Sequence, residues 1–182
     1  MVQSAFYINV FIHYVIFIMV IWSIVKPEKR IWPPPYQYSW QYFVYWLLFI
    51  FSVIIDIYIM VYDFDTWVIP DEIRIWIGIP LMLIGGAFSL WSIIVLGIKN
   101  TSGLKEGFVV ELPYSITRNP QYLGDIVLIT GLILFMNSLY VTVMLVLTIM
   151  AFVMMPLAEE RWLQENYGED YEKYKNSTSR FL

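Results

Sequence analysis

Two short polar stretches interrupt an otherwise apolar chain: SITRNPQYLGD at 115–125 and AEER at 158–161. The first brings together Arg118, Asn119, Pro120, Tyr122 and Asp125; the second sets Glu159 beside Glu160. An arginine can orient a carboxylate through two parallel N–H donors. An asparagine offers both a donor and an acceptor, and a carboxylate can receive a cationic group or take up a proton. Each residue also has a plainer reading. An arginine at the mouth of a span anchors it in the interface, and two glutamates in the first turn outside a span are solvated charges. Asp125 could hold a ligand or pair with Arg118. Asp56, in VIIDIYIM, is costly at its depth and is either functional or satisfied by a tyrosine hydroxyl. His13 reads as an interhelical hydrogen bonder. With no cysteine in the chain and one histidine, thiolate chemistry is excluded and a metal site is not expected.

The elements that must position these groups are membrane spans. The chain has 182 residues, 59% hydrophobic and 14% charged, where a soluble domain carries about a quarter charged. Apolar runs predict an all-α, five-span helical bundle in a single domain, with spans at 5–25, 40–62, 73–98, 119–136 and 139–156. The first run, at about 1.5 Å per residue, covers about 31 Å, enough for a hydrocarbon core of about 30 Å. It has no preceding positive charge and reads as a retained span rather than a signal peptide. The fourth reaches toward that length only if its helix starts near Asn119, and Pro80 predicts a kink or tilt in the third. Ten of the eleven Lys and Arg residues fall on one side of such a bundle, and Arg74 alone on the other. The positive-inside rule then places the N-terminus outside and the C-terminal tail in the cytoplasm. Gly85, Gly86 and Ser89 mark a face where a helix or a ligand can approach closely, with packing the better reading. The tryptophans of RIWPPPYQYSW sit where an aromatic belt belongs. A cytoplasmic amphipathic helix is expected at 157–175, with Leu163, Tyr167, Tyr171 and Tyr174 as a packing stripe and Gly168 as a break. Glu159 shares that stripe's face, whereas Glu160 points about 100° away. The net charge of −4 gives no reason to expect nucleic acid.

Because the turn at Asn137–Ser138 makes the last two spans a hairpin, the two polar stretches must lie at the same end of the bundle. Together they read Tyr114, Arg118, Asn119, Pro120, Tyr122 and Gly124, then Glu159, Glu160, Leu163, Gly168, Tyr171 and Tyr174. In this pattern the chain resembles the isoprenylcysteine carboxyl methyltransferase and phospholipid methyltransferase families of integral membrane enzymes, over about 99–182. The resemblance implies an S-adenosylmethionine-dependent methyltransferase acting on a lipophilic or lipid-modified substrate among membrane lipids. RIWPPP also looks like prokaryotic members, implying a prokaryotic cytoplasmic membrane. Asn119 stands where carboxyl methyltransferases have histidine, the glycine expected shortly before Tyr114 is missing, and the C-terminal Pro-Arg is reduced to Ser179-Arg180.

Carried over, the cofactor site comprises Tyr114, Asn119, Pro120, Tyr122, Leu123, Gly124, Glu159 and Glu160, with Arg118 and Glu159 catalytic. The glutamates would accept the cofactor's amino group, Asn119 would bond a carboxylate or the adenine edge, and Tyr122 would pack against the purine. Methyl transfer is an in-line displacement, so positioning is the protein's main task. An α-carboxyl acceptor is already ionised and needs only orientation by Arg118. An ammonium acceptor needs a base, for which a glutamate could serve. Two other classes stay open: an NADPH-dependent reductase of the sterol-reductase type, which Asp125 would fit, and a non-catalytic membrane adaptor.

Overall fold

The computed structural model describes residues 1–181, and among them there is no β-strand. Four helices are long and apolar enough to cross a membrane: α1 (Val2–Val25), α2 (Trp40–Tyr62), α3 (Asp71–Leu96) and α6 (Leu139–Ser177). Between the last two lie the one-turn α4 (Ile98–Thr101) and the shorter apolar α5 (Pro120–Met136). The molecule is an all-α membrane helical bundle.

Helix ends follow the local sequence. Ser39 and Ser138 cap α2 and α6, their hydroxyls accepting from the amides of Tyr42 and Val141 at 3.2 and 3.1 Å. Pro120 opens α5 where its missing N–H costs nothing. Asn137 closes α5 in the left-handed region at φ 50°, and its side chain fixes the turn. Its amide donates to Asp65 at 2.7 Å and its oxygen accepts from the Ile69 amide at 2.8 Å. Gly97 ends α3 at φ 85°, so the helix stops at Leu96, two residues earlier than the run to Ile98 suggests. Pro80 is preceded by a π-helical segment, Arg74–Gly78, in which the Ile79 amide reaches back to the Arg74 carbonyl. The expected disturbance is thus a widened turn just before the proline.

The bundle packs in two halves. In the first, α1 lies on α2 and α6, enclosing Ile12, Ile16, Met19, Val20, Tyr45, Met155 and Ala158. In the second, α3 lies on α5 through small residues, which fits the packing reading of the glycine-serine face. A Cβ on Gly85 would stand 2.3 Å from the Leu128 nitrogen, and one on Gly124 would stand 2.5 Å from the Ser89 nitrogen. Gly86 faces away, with nothing nearer than 3.7 Å.

The segment expected as a separate helix at 157–175 continues α6 directly as far as the bend at Gly168. The apolar run of this helix ends at Pro156, so Glu159 and Glu160 stand beyond its spanning part. The helix continues past Pro156, which has no N–H to donate, and its backbone departs from helical geometry at Gly168, φ 51° and ψ −124°, where the sequence predicts a break. Beyond that bend the last two turns cross back over the 97–119 loop, where the Tyr174 hydroxyl donates to the Tyr114 carbonyl at 2.6 Å.

Candidate active site

At the end of the bundle that carries the basic loops, α6, the 97–119 loop and the segment after α1 enclose a cleft of about 840 Å³, its open mouth included. Arg118, Asn119, Tyr114, Tyr122, Glu159 and Glu160 all line it. Pro120, Leu123 and Gly124, expected from the sequence to touch a cofactor, are not among its lining residues. Pro120 is buried as the first residue of α5, and Gly124 is buried against the Ser89 backbone because α3 and α5 need that space to pack.

The two glutamates have separate surroundings, as one residue of helix rotation dictates. Glu159 turns toward the bundle. The Trp32 indole donates to its Oε1 at 2.7 Å and the Tyr122 hydroxyl donates to the same oxygen. Among the described residues Oε2 has no hydrogen-bond partner. Burial pushes this carboxyl up to about 7; the two donors pull it back only in part, and Glu160 adds to the rise. Glu160 turns the other way, into a cluster of cations. Arg180 forks onto it at 2.6 and 3.1 Å, Arg118 stands at 3.2 Å and Lys175 at 3.8 Å. Burial raises the Glu160 carboxyl, but the Arg180 hydrogen bond and the three positive charges outweigh it and hold the group below its ordinary value.

Arg118 is therefore already engaged. Besides Glu160 it donates to the Tyr171 hydroxyl at 3.1 Å, yet its Nε is buried without a partner while the side chain, 9% exposed, lines the cleft. Asn119 also lines the cleft and spends an amide hydrogen on the C-terminal residues. Its Nδ2 donates to the Arg180 carbonyl at 2.9 Å, the Thr117 hydroxyl donates to the same carbonyl at 3.1 Å, and the Arg118 amide donates to the Ser179 carbonyl at 2.9 Å. These bonds strap the C-terminal residues across the motif. Asp125 accepts from Ser89 at 2.5 Å and does not pair with Arg118.

The opposite wall is aromatic. Phe108 stacks on Tyr167 with ring centres 4.8 Å apart and meets Tyr174 edge-on at 5.6 Å. Lys105 sits 5.1 Å above the Tyr167 ring. The tyrosine stripe thus both packs and presents a surface to the cleft. The loop holds its shape through Asn100, which donates to the carbonyls of Leu96 and Gly107 and accepts from the Glu106 amide.

Trp32 and Phe108 are the site residues the sequence did not single out. Trp32 is 3% exposed and does not serve an aromatic belt. Ser23, itself buried, accepts from the amides of Ile31 and Trp32 at 2.9 and 3.0 Å. This turns the chain back after α1 and sets the indole against Tyr45, tilted by 32° with 4.5 Å between centres. The one hint in the sequence was the stiff proline run that follows it. Phe108 lies in a loop with no periodicity to mark it.

Among the described residues no group of three or more His, Cys, Asp or Glu side chains could hold a metal ion. No curated protein and no solved structure matches the chain. The phospholipid methyltransferase family matches residues 73–170, a stretch that runs from α3 through the RNPQYLG motif and both glutamates into the last helix. With more than half of its length matched, and with most of the motif residues gathered at one cleft, this chain belongs to the phospholipid methyltransferase family of membrane proteins.

Proposed function

We propose that the protein transfers a methyl group from S-adenosylmethionine to the amine of a membrane-embedded lipid, at the cytoplasmic face. The observation that carries this reading is Glu159: one oxygen fixed by Trp32 and Tyr122, the other without a partner at the cleft, and a carboxyl that burial pushes up to about 7. A protonated amine has no lone pair to attack with, and a positioned base of near-neutral pKa is what such a substrate requires. Oε2 would take the ammonium proton, and the resulting carboxylic acid would remain hydrogen-bonded to its two donors. A carboxylate acceptor would need no base and would leave this arrangement of Glu159 without a role.

The cleft's own atoms fit the cofactor. The partnerless Arg118 Nε suits its carboxylate, and the Phe108–Tyr167 surface suits a planar base and a sulfonium cation. When bound, the cofactor supplies a methyl group on a positively charged sulfur. The chain contributes position, an aromatic and carboxylate environment that favours positive charge, and a proton acceptor.

The distribution of basic residues supports a cytoplasmic cleft and an N-terminus on the other side. Calorimetry on the protein in lipid nanodiscs, with S-adenosylmethionine and with its demethylated product, tests the reading. Binding of both, with methyl incorporation into an amine-headed lipid, is the expected result. Absence of binding by either would overturn it.

A further inference from the structure

Gly103 is buried just beyond α4, and its own turn fixes where it lies. Its φ of 78° is in the region that favours glycine. Two bonds close the turn: the Gly103 amide donates to the Asn100 carbonyl at 2.9 Å, and the Leu104 amide to the Lys99 carbonyl at 3.0 Å. Asn100 then holds the loop that follows, donating to the Gly107 carbonyl and accepting from the Glu106 amide. The position of Gly103 is therefore set by the same loop whose Thr101, Gly107 and Phe108 line the cleft.

What Gly103 faces is the indole that binds Glu159. A Cβ at this position would stand 2.8 Å from Pro34 Cδ, and 3.1 and 3.2 Å from Cη2 and Cζ3 of Trp32. Those two carbons are the end of the six-membered ring away from the indole nitrogen. At the other end the N–H donates to Glu159 Oε1 at 2.7 Å. The ring has little room to retreat. Tyr45 lies against it, Ser23 holds the Trp32 amide, and the side chains of Pro33 and Pro34 are fully buried. The side chain missing at 103 leaves the ring the place from which it reaches Glu159.

We propose that Gly103 is a positioning residue for the base: it backs one end of the Trp32 ring so that the N–H at the other end meets Glu159 Oε1. The loop that walls the cleft thus also sets a donor to the carboxyl. The catalytic consequence rests on the methyl transfer proposed above, whereas the effect on the carboxyl does not. If the indole is displaced, the charged form of Glu159 loses one of its two donors and is harder to keep. The other titratable groups facing that carboxyl are Tyr122 from α5, Tyr45 from α2, Tyr114 from the loop, and Glu160 and Tyr171 from α6. None of them is among the atoms a methyl at 103 would meet. Arg118, Lys175 and Arg180 gather on Glu160.

Gly103→Ala tests the contact in the full protein, in nanodiscs and without cofactor. The protonated-carboxyl infrared band that disappears in Glu159→Gln is followed against pH. Its midpoint should rise in Gly103→Ala by about one pH unit, the worth of a hydrogen bond to a charged group. Trp32→Phe should raise it as much, and adding Gly103→Ala to Trp32→Phe should raise it no further, because a phenylalanine ring does not reach as far as Cη2 and Cζ3. An unmoved midpoint in Gly103→Ala, or shifts that add in the double variant, would overturn the assignment. Gly107→Ala, in the same loop with nothing within 4 Å of the new methyl, should leave the midpoint in place. A shift there as large as that of Gly103→Ala would also overturn it. Thermal melts give a second readout, which remains if Gly103→Ala alone does not fold. The substitution should cost less melting temperature in the Trp32→Phe background, and an equal or larger cost there would count against the contact. The infrared titration needs no turnover, so the two readings separate. A raised midpoint without methyl transfer keeps the role of Gly103 toward Glu159 and removes the catalysis. Methyl transfer with an unmoved midpoint does the reverse.

Discussion

Replacing Glu159 with glutamine tests the base directly, because it removes the proton acceptor and little else. The carbonyl of the introduced amide can still accept from the Trp32 indole and from the Tyr122 hydroxyl, so the local hydrogen bonds survive. What is lost is general-base catalysis, worth roughly 10²–10⁴ in rate. The pH profile supplies the second, sharper readout. In the native protein burial is the leading cause that lifts the Glu159 carboxyl to about 7. The deprotonated fraction then climbs from about a tenth at pH 6 to about nine-tenths at pH 8, and kcat/KM should climb about tenfold with it. The assay is methyl incorporation into an amine-headed lipid in nanodiscs, run across that range on both proteins. Glu159→Gln should be slow and should lose this acid limb. A variant within about threefold of the native rate, or one that keeps the limb, would refute the role assigned to Glu159 and reopen the carboxylate acceptor.

Trp32→Phe deletes a donor that stabilises the charged carboxylate while keeping an aromatic ring on Tyr45, so the acid limb of kcat/KM should move to higher pH; an unmoved limb would separate Trp32 from the base. Glu160 has a folded pKa below its ordinary value of 4.5, so its contribution to stability is full above that value and is lost as pH falls through the lower folded one. Thermal melts between about pH 3 and 5 should therefore lose part of their acid-side slope in Glu160→Gln. Gly85→Ala should destabilise the bundle by about 1–3 kcal/mol in a detergent melt, since the new methyl meets the Leu128 backbone, whereas Gly86→Ala should be neutral or stabilising by up to about 1 kcal/mol. Asp56→Ala strips His13 and Asn9 of their shared partner and should cost about 3 kcal/mol or more by the same melt.

The order of the helices could be read from hydropathy alone, because a bilayer forces backbone bonding to close within each apolar run. The meeting of the two polar stretches followed from a two-residue turn. The opposed roles of Glu159 and Glu160 followed in outline from helical rotation, though not their partners. The sequence could not show which neighbours Arg118 and Asn119 hold. Arg118 serves Glu160, and Asn119 holds the backbone of Arg180, sixty-one residues away. Nor could it show that Gly124 serves packing, since a glycine in a ligand motif and one under a helix look alike until the facing backbone is placed.

Trp32 is the clearest case. In the sequence it is one tryptophan among several near a span end, where an interfacial anchor is the default. Its place beside the base depends on Ser23 capturing two amides eight and nine residues away and on Tyr45 offering a ring from another helix. The spans and their chemistry are encoded locally, in composition and short periodicity. Which oxygen of Glu159 is bound and which is free depends on contacts between segments far apart in the chain, and only the packed bundle decides it.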